Sequence, residues 1–342
     1  MAIQSLPLYS PNLAVLEELH ERIYGKTQQQ QEAIARYRRY LATFNPYLSE
    51  IDSIQFIFNK EGNALAHLVV AIHPEHKDIG IIGFFEAEDK TSAAALLKHA
   101  CSHLQRKGCR KIRGPIDLST WHSYRYISGI QKTKSMLDPL HLPWYAGTWA
   151  NQGFREVAWF VSAVRTDFSY IIPFTKQGHD TALEAGFGIR QFDRKHATRE
   201  LRILHGISSK IFTDSWNHSP ISLSSFYFIY EPYLSFLQEQ YLLFLEDSRR
   251  NPVGFCFALP EKGNPKRLIL KTLGVLSEYR KQGLAAALLH AIHVRAQEDG
   301  FAECYYPFIL EGNAVTKFPY EGYTMVSSYV AYERFADNNI LS

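Results

Sequence analysis

The sequence has little that would tie it to a membrane, an oxidising compartment or a nucleic acid. No apolar run in its 342 residues approaches the roughly 20 needed to cross a bilayer, and the N-terminus lacks the basic, apolar and small-residue succession of a secretory leader. Cysteine is scarce. Cys101, Cys109, Cys256 and Cys304 stand in apolar surroundings without Cys-x-x-Cys spacing, which argues for buried free thiols over disulfides or a zinc site. A net charge of only +3 is far from the concentrated basic excess that neutralises many phosphates, so nucleic acid is set aside as a general partner. The expectation is a cytoplasmic protein with no membrane or nucleic-acid partner and no metal; composition does not address oligomeric state.

What is present is ordinary globular material: 46% apolar and 21% charged residues, in a chain long enough for two cores. The Gln28 to Gln31 run is low in complexity, but the apolar residues after it suggest that it caps or interrupts a helix. The most informative feature is a repeat. Ala93-Ala94-Ala95-Leu96-Leu97 recurs as Ala285-Ala286-Ala287-Leu288-Leu289, and the offset of 192 residues holds through Gly108/Gly300 to Pro115/Pro307. In each copy an apolar β-rich run (Ile79 to Phe85; Leu268 to Val275) leads into an amphipathic helix that stops at a glycine. A second strand follows, Cys109 to Ile116 and Ala302 to Ile309, giving strand, helix, strand with the two strands parallel.

Hairpins precede both units: Ile54 to Asn59 with Ala64 to Ile72, and Tyr241 to Glu246 with Val253 to Leu259. Helices are expected before them, over Leu13 to Ile23 and Glu32 to Thr43 in the first half and over Arg199 to Ile211 and Tyr230 to Gln238 in the second. Each half closes with a strand, Val157 to Arg165 and Val326 to Arg334, and the junction falls near Asp167 to Ile189. The reading is an α/β protein of two tandem domains with mixed sheets, residues 1–175 and 185–342.

Between strand and helix in the second copy lies Arg280-Lys281-Gln282-Gly283-Leu284-Ala285. A turn of this kind aims backbone N–H groups at one point, and the helix N-terminus adds partial positive charge, which suits a pyrophosphate. Gly283 permits close approach, while Arg280 and Lys281 bring flexible positive charge. The corresponding residues of the first copy are Glu88, Asp89, Lys90 and Thr91, with Glu86 nearby. Carboxylates there would repel an anion, so the first copy reads as degenerate. The acidic cluster itself is read as a solvated loop with favourable charge at a helix N-terminus, in preference to a metal or catalytic site.

The run from Leu273 to Leu289, with its Arg-x-x-Gly-x-Ala turn, resembles the acyl-coenzyme A signature of the GNAT acyltransferase superfamily. Pro252-Val253-Gly254-Phe255 upstream and Asn313 downstream look like the matching parts of that family. Gly83 to Asp89, Gly114-Pro115 and Leu142 to Tyr145 resemble a tandem-repeat subgroup of bacterial GNAT proteins. The resemblance implies two GNAT-like folds and an acyl-CoA thioester, typically acetyl-CoA, as co-substrate. It further implies direct acyl transfer to an amine on a small molecule or peptide.

On that resemblance Leu273, Gly274 and Val275 offer main-chain groups to the pantetheine and thioester carbonyl, and the residues from Arg280 to Ala285, with Asn313, hold the coenzyme. The strand from Leu268 to Val275 carries no carboxylate, so the candidate bases are Glu278, Glu303, Glu311 or an ordered water. Tyr320 is the type of residue that protonates the departing thiolate. Counting back from Gly322 reaches Phe318 instead, with Pro319 inserted, so Tyr320 as acid and as packing residue both stay open. The pairs His99/His103 and His290/His293 lie a turn apart but lack a third ligand nearby, and read as polar-face residues. Trp121, Tyr124, Trp144, Tyr145, Trp149, Trp216 and Phe226 are mostly core, with some available to line an acceptor pocket between the halves. The leading reading is an N-acetyltransferase of GNAT type. The alternative is a non-catalytic acyl-CoA-binding or interaction module.

Overall fold

A computed structural model describes residues 2–8, 13–313 and 321–336. The first half runs β1 (Ala2–Leu6), α1 (Leu13–Tyr24), α2 (Gln28–Tyr37), β2 (Asp52–Lys60), β3 (Asn63–Ile72), β4 (Ile79–Ala87), α3 (Lys90–Arg106), β5 (Lys111–Gly114), β6 (Tyr126–Gln131), α4 (Tyr145–Asn151) and β7 (Arg155–Arg165). Helix α5 (Ile171–Glu184) occupies the expected junction. The second half continues β8 (Gly188–Gln191), α6 (Ala197–Ile211), α7 (Leu223–Tyr230), β9 (Leu242–Glu246), β10 (Pro252–Glu261), β11 (Asn264–Val275), α8 (Leu284–Glu298), β12 (Glu303–Leu310) and β13 (Tyr323–Phe335). Among the described residues no helix is long and apolar enough to cross a membrane.

The two repeated helices end by the same chemistry. Gly108 and Gly300 adopt φ of 91° and 76°, and the next amides, of Cys109 and Phe301, reach back to the carbonyls of Leu104 and Ala296 at 3.0 Å in both cases. Such left-handed caps favour glycine because it has no Cβ to clash. The Gln28 to Gln31 run forms the first turn of α2, capped by the Thr27 side chain, which accepts from the Gln30 amide. The run therefore opens a helix. The helix expected over Tyr230 to Gln238 lies earlier: Ser222 caps α7 and Pro232 follows, where its missing N–H and ring stop an α-helix, leaving a short 3₁₀ turn over Glu231–Ser235.

One continuous sheet carries the strands in the order β1-β2-β3-β4-β5-β13-β7-β12-β11-β10-β9-β8, with β6 also paired to β13. The closing strands are exchanged. β13 of the second half lies antiparallel to β5 (Tyr332 opposite Gly114), while β7 of the first half lies antiparallel to β12 (Cys304 opposite Arg165), and β7 and β13 pair with each other along their length. Helix α5, which follows β7, consequently packs on α8: a Cβ at Gly178 would sit 2.9 Å from Ala286 Cβ and 3.1 Å from Gly283 O. The cores follow the same exchange. Leu16, Leu19 and Tyr37 of the first half share one cluster with Leu204, Phe226 and Phe257 of the second, whereas Leu96, Leu97, Tyr145 and Trp149 pack beneath α3.

Candidate functional site: an open strand gap between the halves

β11 and β12 run parallel for only three residue pairs, Arg267–Ile269 against Glu303–Tyr305. Beyond Ile269 they diverge. β11 stays with β10 through a bulge that leaves Lys271 unpaired between the Leu270 and Thr272 positions, while β12 turns away with β7. The exchanged strand shapes that wall, since Phe308, at φ 56°, donates its amide to Ser162 Oγ on β7 at 3.1 Å. The edge of β11 from Leu270 to Val275 therefore faces the gap with main-chain groups that no strand satisfies, a ready partner for an extended amide-bearing chain. A Cβ at Gly274 would lie 2.5 Å from Ile211 Cγ2, so glycine is what lets α6 approach β11 here.

At the head of the gap, Lys281 and Gly283 take left-handed φ of 64° and 77°, and Gly283 caps α8 without any side-chain hydrogen bond. Within the described structure the consecutive backbone amides from Lys281 to Ala286 donate to no protein acceptor. Such a run of free N–H groups at the positive end of a 15-residue helix has the geometry that suits an anion. Arg280 is built into the frame: its Nε and Nη2 reach the carbonyls of Val275 (3.4 Å) and Ile211 (3.2 Å), tying the end of β11 to the end of α6. Lys281 and Gln282 are exposed, Leu284 is buried and Ala285 is half-buried. Asn313 stands at the rim, its amide donating to the Leu310 carbonyl at 3.0 Å.

The first half shows the same elements shut. β4 and β5 also part after three pairs, but Ile116 crosses the gap and donates to the Ile82 carbonyl at 2.8 Å. Asp117 Oδ1 accepts the Phe84 amide at 2.6 Å, and a Cβ at Gly83 would overlap Ile116 O at 2.0 Å. The helix terminus is filled as well. Asp89 Oδ1 accepts from the amides of Thr91 (2.8 Å) and Ser92 (2.9 Å), so the protein supplies its own anion there. Burial opposes ionisation of Asp89, but these bonds and the Ser92 hydroxyl outweigh it and lower its pKa. Glu88 pairs with Arg22 at 2.8 Å. Glu86 is buried beside Arg36, which also reaches Asp117, and accepts from the Tyr24 and Tyr145 hydroxyls.

Between the halves lies a cavity of 740 Å³, lined from one side by Arg36, Tyr40, His122 and Arg125 and from the other by Trp216, Leu270–Leu273 and Tyr306–Leu310. That is the size of a small-molecule site. The structure brings Leu273 and Asn313 to this cavity, while Gly274 and Val275 lie just behind the lining. Glu278 is elsewhere, exposed on the turn after β11. Its own backbone N–H and the Ser277 hydroxyl, at 3.0 Å, hold its pKa below the usual carboxylate value, the wrong direction for a base. Glu303 is engaged by Arg267 at 2.6 Å, and Glu311 is exposed. Tyr320, with Phe318 and Pro319, lies outside the described residues.

Of the aromatics, Trp121, Tyr124 and Trp216 line the cavity, whereas Tyr145 and Trp149 belong to the core under α3, with Trp144 packed against it, and Phe226 is in the larger core. The histidine pairs are structural: His99 and His103 both edge against Phe56, His290 Nδ1 meets the Ile172 carbonyl, and His293 bridges Leu289 O and the Tyr306 hydroxyl. Burial lowers the His293 pKa to about 4, so Nδ1–H donates to Leu289 and Nε2 accepts the Tyr306 proton at 2.5 Å. Sequence reasoning missed Arg125, Lys271 and His218, which line the cavity. The density of aromatic residues around Trp121 to Tyr126 was the one sign of Arg125. All four cysteines are buried, and none forms a disulfide.

Residues 201–315 match the acetyltransferase (GNAT) family model. No curated protein matches the chain. Among solved structures, a tandem GNAT protein from the clavulanic acid biosynthesis pathway is 11% identical and aligns over 99% of this chain and 100% of its own, with a TM-score of 0.58. A GCN5-related N-acetyltransferase from Anabaena variabilis is 10% identical and aligns over 98% of this chain and 73% of its own, also at 0.58. A GCN5-related glucosamine N-acetyltransferase region in a fungal multi-domain GH3 beta-N-acetylglucosaminidase is 11% identical with a TM-score of 0.58. It aligns with 97% of this chain, which spans only 38% of that protein. At these identities the likeness is one of fold.

Proposed function

This chain is a tandem GNAT-fold protein, and on that premise we propose that it transfers an acyl group, acetyl in the simplest case, from coenzyme A to an amine in the cavity between its halves. The observation that carries the reading is the run of free amides from Lys281 to Ala286 at left-handed Gly283, continuous with the open edge of β11. The pyrophosphate would sit on the amides and the pantetheine along β11, bringing the thioester to the cavity. Only the second half binds, because Asp89 and Ile116 occupy the equivalent places in the first.

In the transfer the lone pair of the neutral amine forms the N–C bond. The carbonyl oxygen takes up charge beside main-chain donors of β11, and the C–S bond breaks to release a thiolate. The nitrogen loses its surplus proton to water or to His218, whose pKa is lowered by burial and whose Nε2 has no hydrogen-bond partner, so it is neutral and able to accept. Tyr320 is the proposed donor to the thiolate; Tyr306 is less suited, because its one proton is committed to His293. The alternative, a binder without turnover, draws on the absence of a carboxylate on the gap-facing part of β11 and on the remote position of Glu278. Thiol release from acetyl-CoA across a panel of amines tests the choice. Release that depends on the amine supports transfer, and tight coenzyme A binding with no release for any amine supports the binder.

A further inference from the structure

Arg125 lies in the wall of the cavity, 4% exposed, with its guanidinium carbon 3.6 Å from the ring centroid of Tyr124, 4.1 Å from that of Phe160 and 4.3 Å from that of Phe308. Among the described residues no carboxylate forms an ion pair with it, and its Nε is buried without a hydrogen-bond partner. Arg36, a half-buried arginine on the lining, faces Glu86 and Asp117, and the buried Arg267 at the base of β11 faces Glu303. Burial pulls the Arg125 pKa down, and the neighbours that oppose this are only the phenols of Tyr124 and Tyr329. The backbone is unusual as well, since Arg125 holds φ 81°, a left-handed conformation that is strained for a side-chain-bearing residue. A charge has been buried and a backbone bent at one residue, and among the described residues no carboxylate pairs with it to compensate.

The other unpartnered buried side-chain atoms on the lining residues point the same way. They are Arg36 Nε, His122 Nε2, Trp216 Nε1 and His218 Nε2, all nitrogens, and Trp216 is stacked on Tyr124 beside Arg125. Arginine and tryptophan nitrogens can only donate. At Arg36, Arg125 and Trp216 the cavity therefore has buried donors without acceptors, which an oxygen-rich anionic ligand would supply. Lys271, the other cation on the lining without an ion pair among the described residues, stands over Tyr230 and Tyr233, a separate aromatic group. One guanidinium in an aromatic cage balances a single negative charge, and its planar fork matches a carboxylate.

We propose that Arg125 is the carboxylate-binding residue of the acceptor site: the amine that receives the acyl group carries a carboxylate, held by the guanidinium, with its apolar body against Tyr124, Phe160 and Trp216. This rests on the acyl-transfer reading for the word acceptor, but not for the binding itself. Phe308 belongs to both structures, lying under Arg125 and forming the β12 wall of the gap, so a carboxylate on Arg125 is anchored beside the path of the thioester.

The test uses pairs of α-amino acids and their primary amides (glycine, alanine, glutamate and phenylalanine) titrated calorimetrically into the full chain saturated with coenzyme A. Thiol release from acetyl-CoA is followed on the same pairs. At least one acid is expected to bind about tenfold or more tightly than its amide, an advantage lost in Arg125→Met and partly kept in Arg125→Lys, with coenzyme A affinity unchanged in both. If Arg125→Met no longer binds coenzyme A and has thus failed to fold, the parent protein and Arg125→Lys decide. Equal binding of every acid and its amide, binding of neither, or an acid advantage that survives in a folded Arg125→Met overturns the proposal. Discrimination without thiol release leaves the carboxylate site standing and removes the acyl-transfer reading. Equal turnover of acid and amide does the reverse.

Discussion

Ile116 donates its backbone N–H to the carbonyl of Ile82 at 2.8 Å, and this single bond marks the difference between the two halves. In the second half the corresponding strands stand apart, and the edge of β11 beyond Ile269 is open to the cavity. A tandem of two similar units has thus divided its labour: one gap is closed by its own chain and its helix terminus is capped by Asp89, while the other keeps both features free.

The capping role of Asp89 sets the first prediction. Asp89→Ala removes the acceptor for the Thr91 and Ser92 amides, which should cost about 1 kcal/mol in denaturant unfolding. Glu88→Ala and Asp89→Ala together should still leave one coenzyme A per chain, because Ile116 keeps the first gap shut. A second site appearing in the double variant would show that the acidic residues alone had closed it.

Glu86 gives a pH prediction. Burial, opposed by Arg36 and by the Tyr24 and Tyr145 hydroxyls, raises its pKa from 4.5 to about 7. The folded state then holds a proton that the unfolded state has released between those values, so this group's contribution to stability is present below about pH 4.5 and lost as pH rises through about 7. The parent protein's stability relative to Glu86→Gln should fall across that window by up to about 3 kcal/mol and level off above it. Unfolding curves at pH 5 and pH 8 for both proteins measure it, and a difference that stays constant or grows with pH contradicts the assignment.

Tyr320→Phe keeps the ring and removes the proton. If Tyr320 protonates the thiolate, turnover with an accepted amine should drop at least about tenfold while coenzyme A affinity is nearly unchanged, because general-acid assistance acts on the transition state. A mutant that turns over like the parent makes Tyr320 a packing residue. Tyr306→Phe is the control: loss of its bond to His293 should appear first in stability.

The repeat was legible because its signals are local: apolar periodicity, Gly108 and Gly300 at the helix ends, and the turn around Gly283 are all written within a few residues of where they act. The exchange of β7 and β13 was not. Each strand has the pattern of a closing strand, and nothing in Arg155–Arg165 specifies Cys304 over Gly114 as its neighbour. The buried Arg125 was hidden for the same reason, since its three aromatic walls come from Tyr124, Phe160 and Phe308, far apart in the chain. The lost helix over Tyr230 to Gln238 was a misjudged breaker, because Pro232 outweighs the apolar spacing around it.

Coenzyme A titrated calorimetrically into the parent protein and into Gly283→Val tests the central claim, a single site on the free amides at the start of α8, most directly. Gly283 holds φ 77°, so a β-branched residue there is strained and must reorient the amides that aim at the pyrophosphate. A Cβ at that position meets only ordinary contacts with Gly178, at 3.5 Å and beyond, so the chain should still fold. The predicted result is one site per chain in the parent and at least about tenfold weaker binding in Gly283→Val. Two sites in the parent, or an affinity that the substitution leaves unchanged, would contradict it.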